Sequence, residues 1–362
     1  MEGEPCKDFY VQKVCGLNLQ VAPIQYAPRR HDTYRLLNPV PYRARYFGVK
    51  LHLDQDEKCV TFGVTHVVAI DGYSRKIVGF ITIPKKNSIV IYDLLFRPLL
   101  LLYGMWAQVR VDHGTEFALI ITAQQHLAQH HQQNQSCHPV LQSLSRQNHR
   151  AERVWPEINN YINYPVKRVL IEMESAEEIN MGDEVTKFCV SWVTIHVMHN
   201  ATQVIIRAWN CHRIPGTVGG VPNTLALENN HVSRLPSTYI PSTHELVQVH
   251  EQSGACLSRD VFYGYDPLTN SPHLQELRQR DFFTAFPDLN IVFHNILHGD
   301  AQLFKYSIHH FIWLTNSFAA CLEKNTHFSN PPFLLPHSSP LYIYMSCHLS
   351  FATHVVEATS KY

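Results

Sequence analysis

Four runs, YFGVKLHLDQ, VTFGVTHVVAID, KIVGFITIP and QVRVD, combine β-branched enrichment with the period-2 alternation of strands. DEK and DGYSR punctuate the first three with turn-forming residues, which predicts a three-stranded meander. Between the third and fourth runs, Ser88 to Tyr103 follows helical spacing and meets a stop signal at Gly104. After Gly114, TEFALIITAQQHLAQHHQ reads as a second helix, NQSCHPVLQSLSRQ as a loop, and AERVWPEINNYIN as resumed helical spacing. The order β-β-β-α-β-α-loop-α predicts an α/β fold, a mixed sheet flanked by helices.

The rest of the chain divides by pattern. Residues 1–41 mix Pro, Arg and Tyr without periodicity and read as a lead-in, and 42–215 hold the α/β core. Residues 216–235 look like a linker into a mostly helical C-terminal region, 216–320, whose Phe-rich faces are most simply core. Residues 321–362 follow neither period and read as an irregular tail.

Composition narrows the function classes. The chain has 362 residues, 45% of them hydrophobic, which is room for about two domains and a substantial core. Its formal net charge is zero, so any nucleic-acid surface must be local. Nine cysteines without a CxxC pair argue against a disulfide framework and a Cys-based zinc finger, and the 24 histidines are spread along the chain. MEGEPCKDFY lacks the apolar segment that drives secretion, which points to an intracellular protein. The stretch SIVIYDLLFRPLLLLYGMW is broken by Asp93, Arg97 and Pro98, which speaks for a buried helix and against a membrane span.

Three acids stand out against this frame: Asp54 in HLDQDEK, Asp112 in VRVDHGTEF and Glu152 in QNHRAERVWPEI. Each aspartate ends an apolar β-rich run and the glutamate opens a helix. Such a layout suits a two-metal phosphoryl-transfer site, because hard divalent cations about 4 Å apart require clustered carboxylate oxygens. Singly, each acid has an ordinary reading: a strand-end Asp forms turns, and a first-turn Glu complements the helix dipole. Asp56 and Asp71 compete for the first role. Asp56 would share the face of Asp54 in a continuous strand, but DQDEK suggests that the strand has ended; Asp71 is better explained by the DGYSR turn.

The element order is that of a ribonuclease-H-like sheet. Within it HLDQDEK, AIDGYSRKIVGFITI, QVRVDHGTEF and QNHRAERVW, over roughly Tyr42 to Pro215, resemble the integrase core of retroviruses, retrotransposons and related DDE transposons. The resemblance implies that Asp54, Asp112 and Glu152 are catalytic and hold two Mg²⁺ or Mn²⁺ ions. It implies DNA as partner, a homo-oligomeric assembly, a transposable-element origin and a nuclear location. Lys85, Lys86, Arg110, Arg146, Asn148, Arg150 and Arg153 crowd the same region and are candidate nucleic-acid contacts. His113 replaces the family's usual Asn, Gly114 permits a sharp exit from the strand, and Pro156 suggests that Glu152 sits at the very start of its helix. No His-His-Cys-Cys module precedes the core, which removes the family's usual route to multimers. The expected activity is metal-dependent DNA strand cleavage and joining. The alternatives are a domesticated, catalytically inactive binding protein and, with less support from DGYSR and DHGTEF, a nuclease acting on RNA hybrids.

Overall fold

The computed structural model describes residues 44–130, 138–143, 148–215 and 219–325. The lead-in at 1–41, Arg146 and all of the tail beyond Asn325 lie outside the described residues.

Strands β1 (Lys50–Cys59), β2 (Val64–Asp71), β3 (Ile77–Ile83), β4 (Gln108–Val111) and β5 (Val140–Gln142) form one sheet in the order β3-β2-β1-β4-β5. β1 to β3 are an antiparallel meander, and β4 and β5 join parallel to β1. This is the ribonuclease-H-like mixed sheet expected from the pattern, with two differences. β1 continues to Cys59, so Asp54 and Asp56 do share a face. The stretch read as a loop contains β5, three residues long and paired only at Val109 to Val111 of β4.

Helix α1 runs through Ser88–Ile91, the wider turn Tyr92–Phe96 and Arg97–Leu102; α2 is Ala118–Ala128. Both pack on the sheet face that carries Leu51, Leu53, Val67, Ala69, Val109 and Val111. The opposite face carries Val68, Ile70 and Phe80, together with His52, Asp54 and Asp56, which are nearly buried. It is covered by α3 (His149–Glu152) and by α4, which comprises Trp155–Ile158, Asn159–Asn163 and Tyr164–Ser175. With both faces covered, every residue of β2 is buried, as expected of a central strand.

The 28-residue α5 (Glu184–Cys211) crosses the same face, and its end ties the β2–β3 turn down. Asn210 receives the Ile77 amide at 2.9 Å and donates to the Ile77 carbonyl at 2.9 Å, while Trp209 Nε1 donates to the Arg75 carbonyl at 2.9 Å. Inside that turn Asp71 is fully buried. It accepts from the Ser74 amide (2.8 Å) and hydroxyl (2.9 Å), from the Gly48 amide (3.1 Å) and from Trp106 Nε1 (3.0 Å), so it joins the turn to the base of β1.

Beyond residue 215 the chain is helical: α6 (Pro222–Glu228), α7 (Thr243–Gln252), α8 (Pro272–Ala285), α9 (Leu289–Leu297) and α10 (Gln302–Asn325). Residues 229–231 return to the start of β1, where the Phe47 amide donates to the Asn229 carbonyl at 2.8 Å. Phe282, Phe286, Phe304 and Phe311 are core, as expected, in one cluster with Phe188 and Trp192 of α5. A buried Arg278–Asp266 pair sits at its edge, Nη1 and Nη2 meeting the two carboxylate oxygens at 2.8 and 2.7 Å, with the guanidinium about 5 Å from the Phe188 and Phe311 rings. No described helix is long and apolar enough to cross a membrane.

Truncating Asp266 would leave Arg278 charged and buried. Asp266→Ala is expected to lower unfolding free energy by about 3–5 kcal/mol, read by urea denaturation. A loss below about 1 kcal/mol would mean that the pair is not desolvated as described.

Candidate active site

β1 and β4 run parallel with His52 opposite Arg110, so two residues further along the same faces lie Asp54 and Asp112. Adjacent strands are about 4.8 Å apart, which brings the two carboxylates to one sheet edge. Asp112 follows the last residue of β4 and is half-buried; its Oδ1 accepts the Gly114 amide at 3.1 Å, which closes a local turn. Gly114 itself has φ −69° and ψ 148°, open to any residue. Space, not conformation, requires glycine: a Cβ there would collide with the Glu116 carboxylate.

Three contacts fix the helical cover over Asp54. Asn148 Nδ2 donates to the Leu53 carbonyl at 2.8 Å, and its Oδ1 accepts from His52 Nδ1 at 2.6 Å. Ala151 and Val154 pack on Val68 and Ile70 with no exposure. Trp155 Nε1 donates to Asp54 Oδ2 at 3.0 Å. Glu152 rides on this cover, half-buried, three residues before the tryptophan. Pro156 stands in the first turn after the break that ends α3, so Glu152 closes a one-turn helix instead of opening a long one.

Asp54 is only 5% exposed, with the Gln55 amide on Oδ1 at 3.0 Å. Burial pushes its pKa up to about 6; the Trp155 and Gln55 donors oppose this, and the nearby charges of Asp112 and Glu152 add to it. The three acids therefore feel one another. Among the described residues, however, no three His, Cys, Asp or Glu side chains gather closely enough to hold a metal ion. The donor chemistry suits a hard cation, since all three side chains offer oxygen and the first carries a charge that its surroundings leave under-neutralised.

Asp56, two residues on, is differently employed. Asn159 and Asn163 donate to it at 3.2 and 3.0 Å, and Asn163 accepts from His66 Nε2 at 2.9 Å, so this carboxylate anchors α4 to the sheet. Glu116 lies beside Asp112: it accepts from Gln55 Nε2, has Lys86 Nζ at 4.0 Å, and burial raises its pKa, with Asp112 adding to the rise. Trp155 and Glu116 both stand inside the quoted motifs, ERVW and DHGTEF. The i, i+3 spacing of Glu152 and Trp155 was the available sign that the two share a helix side.

The basic residues are placed unequally. Lys85 pairs with Asp260, Lys86 with Glu57 at 3.1 Å, and Arg110 Nε donates to Ser143 Oγ at 3.0 Å. Arg150 is half-exposed and Arg153 exposed on the helical cover. Asn148 turns inward at 1% exposure, its amide used on β1, so it has no surface to offer a phosphate.

Asp54 should destabilise the metal-free protein when ionised. Its folded pKa of about 6 lies above the unfolded value, so its contribution is fully present below about pH 4 and is lost as pH rises through 6. Asp54→Asn is therefore expected to gain stability over the parent by a further ~1–1.5 kcal/mol between pH 5 and pH 8 in chelator, measured by denaturant melts. A gap that does not change with pH would mean that Asp54 titrates normally.

Residues 42–234 match the family model described as integrase core domain. No curated protein and no solved structure matches the chain.

Proposed function

The chain belongs to the integrase core domain family, and from that premise we propose that it is an integrase-like polynucleotidyl transferase that cuts and joins DNA strands. The observation that carries the reading is the in-register placement of Asp54 and Asp112 on parallel neighbouring strands beneath the helix bearing Glu152. Integrase cores generally use divalent metal, and two Mg²⁺ or Mn²⁺ ions are the proposed cofactors. Bound there, they would supply the positive charge that sharpens an attacking hydroxyl and stabilises a departing oxygen at phosphorus.

The chain's own residues would do the following. Asp54, Asp112 and Glu152 provide the oxygen donors, and their mutual repulsion makes the site favour cations. Trp155 holds the Asp54 carboxylate by one oxygen and sets its orientation. Water or a DNA 3′-hydroxyl attacks the phosphorus in line, the bond to the leaving 3′-oxygen breaks, and that oxygen takes up a proton. Arg150 and Arg153 on the helical cover, with Lys85, Lys86 and Arg110 nearby, are the candidate phosphate contacts. A DNA substrate is consistent with a nuclear location, and joining two DNA ends with a homo-oligomer.

One observation favours a second reading, a domesticated DNA-binding protein without turnover: Trp155 occupies Asp54 Oδ2, and the three acids are not gathered at coordinating distance. The two readings part in a strand-nicking and strand-transfer assay on DNA ends with Mn²⁺. An enzyme gives products that fall at least about 100-fold in Asp54→Asn and Glu152→Gln, as loss of a charged ligand in a two-metal site predicts, while DNA binding persists. Turnover that survives both substitutions refutes these residues, and no wild-type turnover with any divalent metal selects the binding protein.

A further inference from the structure

The β2–β3 turn ends in an unusual arginine. Arg75 has φ +61°, in the left-handed region that non-glycine residues rarely occupy, and it is held there from two sides. Its amide donates to the Asp71 carbonyl at 2.9 Å, and its carbonyl accepts from Trp209 of α5. The residue is 8% exposed. Nη1 donates to the Pro215 carbonyl at 2.6 Å, whereas Nε is buried without a hydrogen-bond partner.

A guanidinium in this state lacks compensation. One neutral carbonyl does not balance a desolvated cation, and an orphaned Nε–H removes one of its five donors from use. The neighbouring charges make matters worse. Arg150 and Arg153 flank Ala151 and Val154, which pack beside Ile70 and Ile77 at the two ends of this same turn. The charges that act on Arg75, after burial, are those of Arg150 and Arg153, and both push its pKa down. Three guanidiniums thus face one another across the turn and α3, and the ligand that relieves such a set is an oxyanion able to take forked donors.

We propose that Arg75, Arg150 and Arg153 form a phosphate-binding station that grips the backbone of the DNA strand on the flank of the three acids. The proposal rests on the DNA-processing reading and deepens it. Position gives it a specific length. Asp71, where the turn begins, lies three residues along β2 from Val68, the partner of Asp54. At about 3.4 Å per strand residue the offset is roughly 10 Å, close to three nucleotides of duplex rise. The station would hold a phosphate about three nucleotides from the one being attacked and so fix the register of the strand over Asp54.

The test is equilibrium binding of the full chain to a fluorescent 20-base-pair duplex over a salt series, in chelator so that turnover does not intrude. Each phosphate contact contributes about 0.9 to the slope of log affinity against log salt. Arg150→Gln and Arg153→Gln, at exposed or half-exposed positions that leave the fold intact, are each expected to lower the slope by about one. Arg75→Lys keeps the charge but removes the fork and Nε; it should weaken binding several-fold at constant slope. A methylphosphonate placed three nucleotides from the reacting end should cost the wild type affinity and cost Arg153→Gln none. If the wild type binds DNA and the slopes of all three variants equal its own, the station is wrong while the DNA reading stands. If the wild type shows no salt-sensitive DNA binding at all, both fall. An acidic polypeptide that competes for the same three residues more tightly than the duplex would also overturn the assignment to phosphate.

Discussion

A single hydrogen bond, from the indole N–H of Trp155 to Asp54, joins the sheet to its helical cover at the one point where charge is buried. Ala151 and Val154 give that cover its apolar grip, and Asn148 fixes its start to β1, but neither touches an acid. The indole does, and it settles how Asp54 sits. Burial alone would favour the neutral carboxylic acid; a donor at each oxygen pulls back toward the carboxylate, and the result is a group balanced near pH 6. A carboxylate so placed gains from any further positive charge brought to it. The neighbouring acids, which raise its pKa while Asp54 is ionised, would share that gain.

The same economy appears at three other buried charges, each resolved differently. Asp71 is surrounded by donors from a turn, a strand start and a tryptophan, and its work is to hold the meander to β1. Asp56 is neutralised in effect by two asparagine amides. Asp266 has a matched bidentate arginine. Asp54 differs in having two donors, two acidic neighbours and no cation paired with it among the contacts described. That contrast distinguishes a candidate catalytic acid from structural ones on the same sheet.

Much of this could be read from the chain because period-2 runs and turn residues mark β1 to β4 directly, and the parity of Asp54 and Asp112 along their strands then sets both on one face. What escaped has physical causes. β5 is three residues long, follows a proline and exposes Leu141 and Gln142, so it carries no alternation to detect. α5 buries eight successive residues, Phe188 to Ile195, because it is covered all round, and a helix without a polar face lacks the stripe that sequence patterns reveal. The end of β1 was misplaced because Gln55 to Lys58 are polar for a tertiary reason: Asp56 faces the asparagines of α4, a contact that lies more than 100 residues away. Asn148 resembled a surface ligand in a basic segment, and only the fold shows its amide turned onto β1. Arg75 gave no signal, since its left-handed backbone and its proximity to α3 are both consequences of packing.

The central claim, that Asp54, Asp112 and Glu152 form a site completed by divalent cations, is tested most directly by the thermal unfolding of the full chain at pH 7.5 with and without millimolar Mn²⁺. A cation that binds only the folded state stabilises it by mass action, about 2.7 kcal/mol at a hundredfold excess over the dissociation constant. The account predicts a rise of several degrees in Tm for the wild type and little or none for Asp112→Asn. An unchanged Tm in the wild type, or an equal rise in the variant, would contradict it.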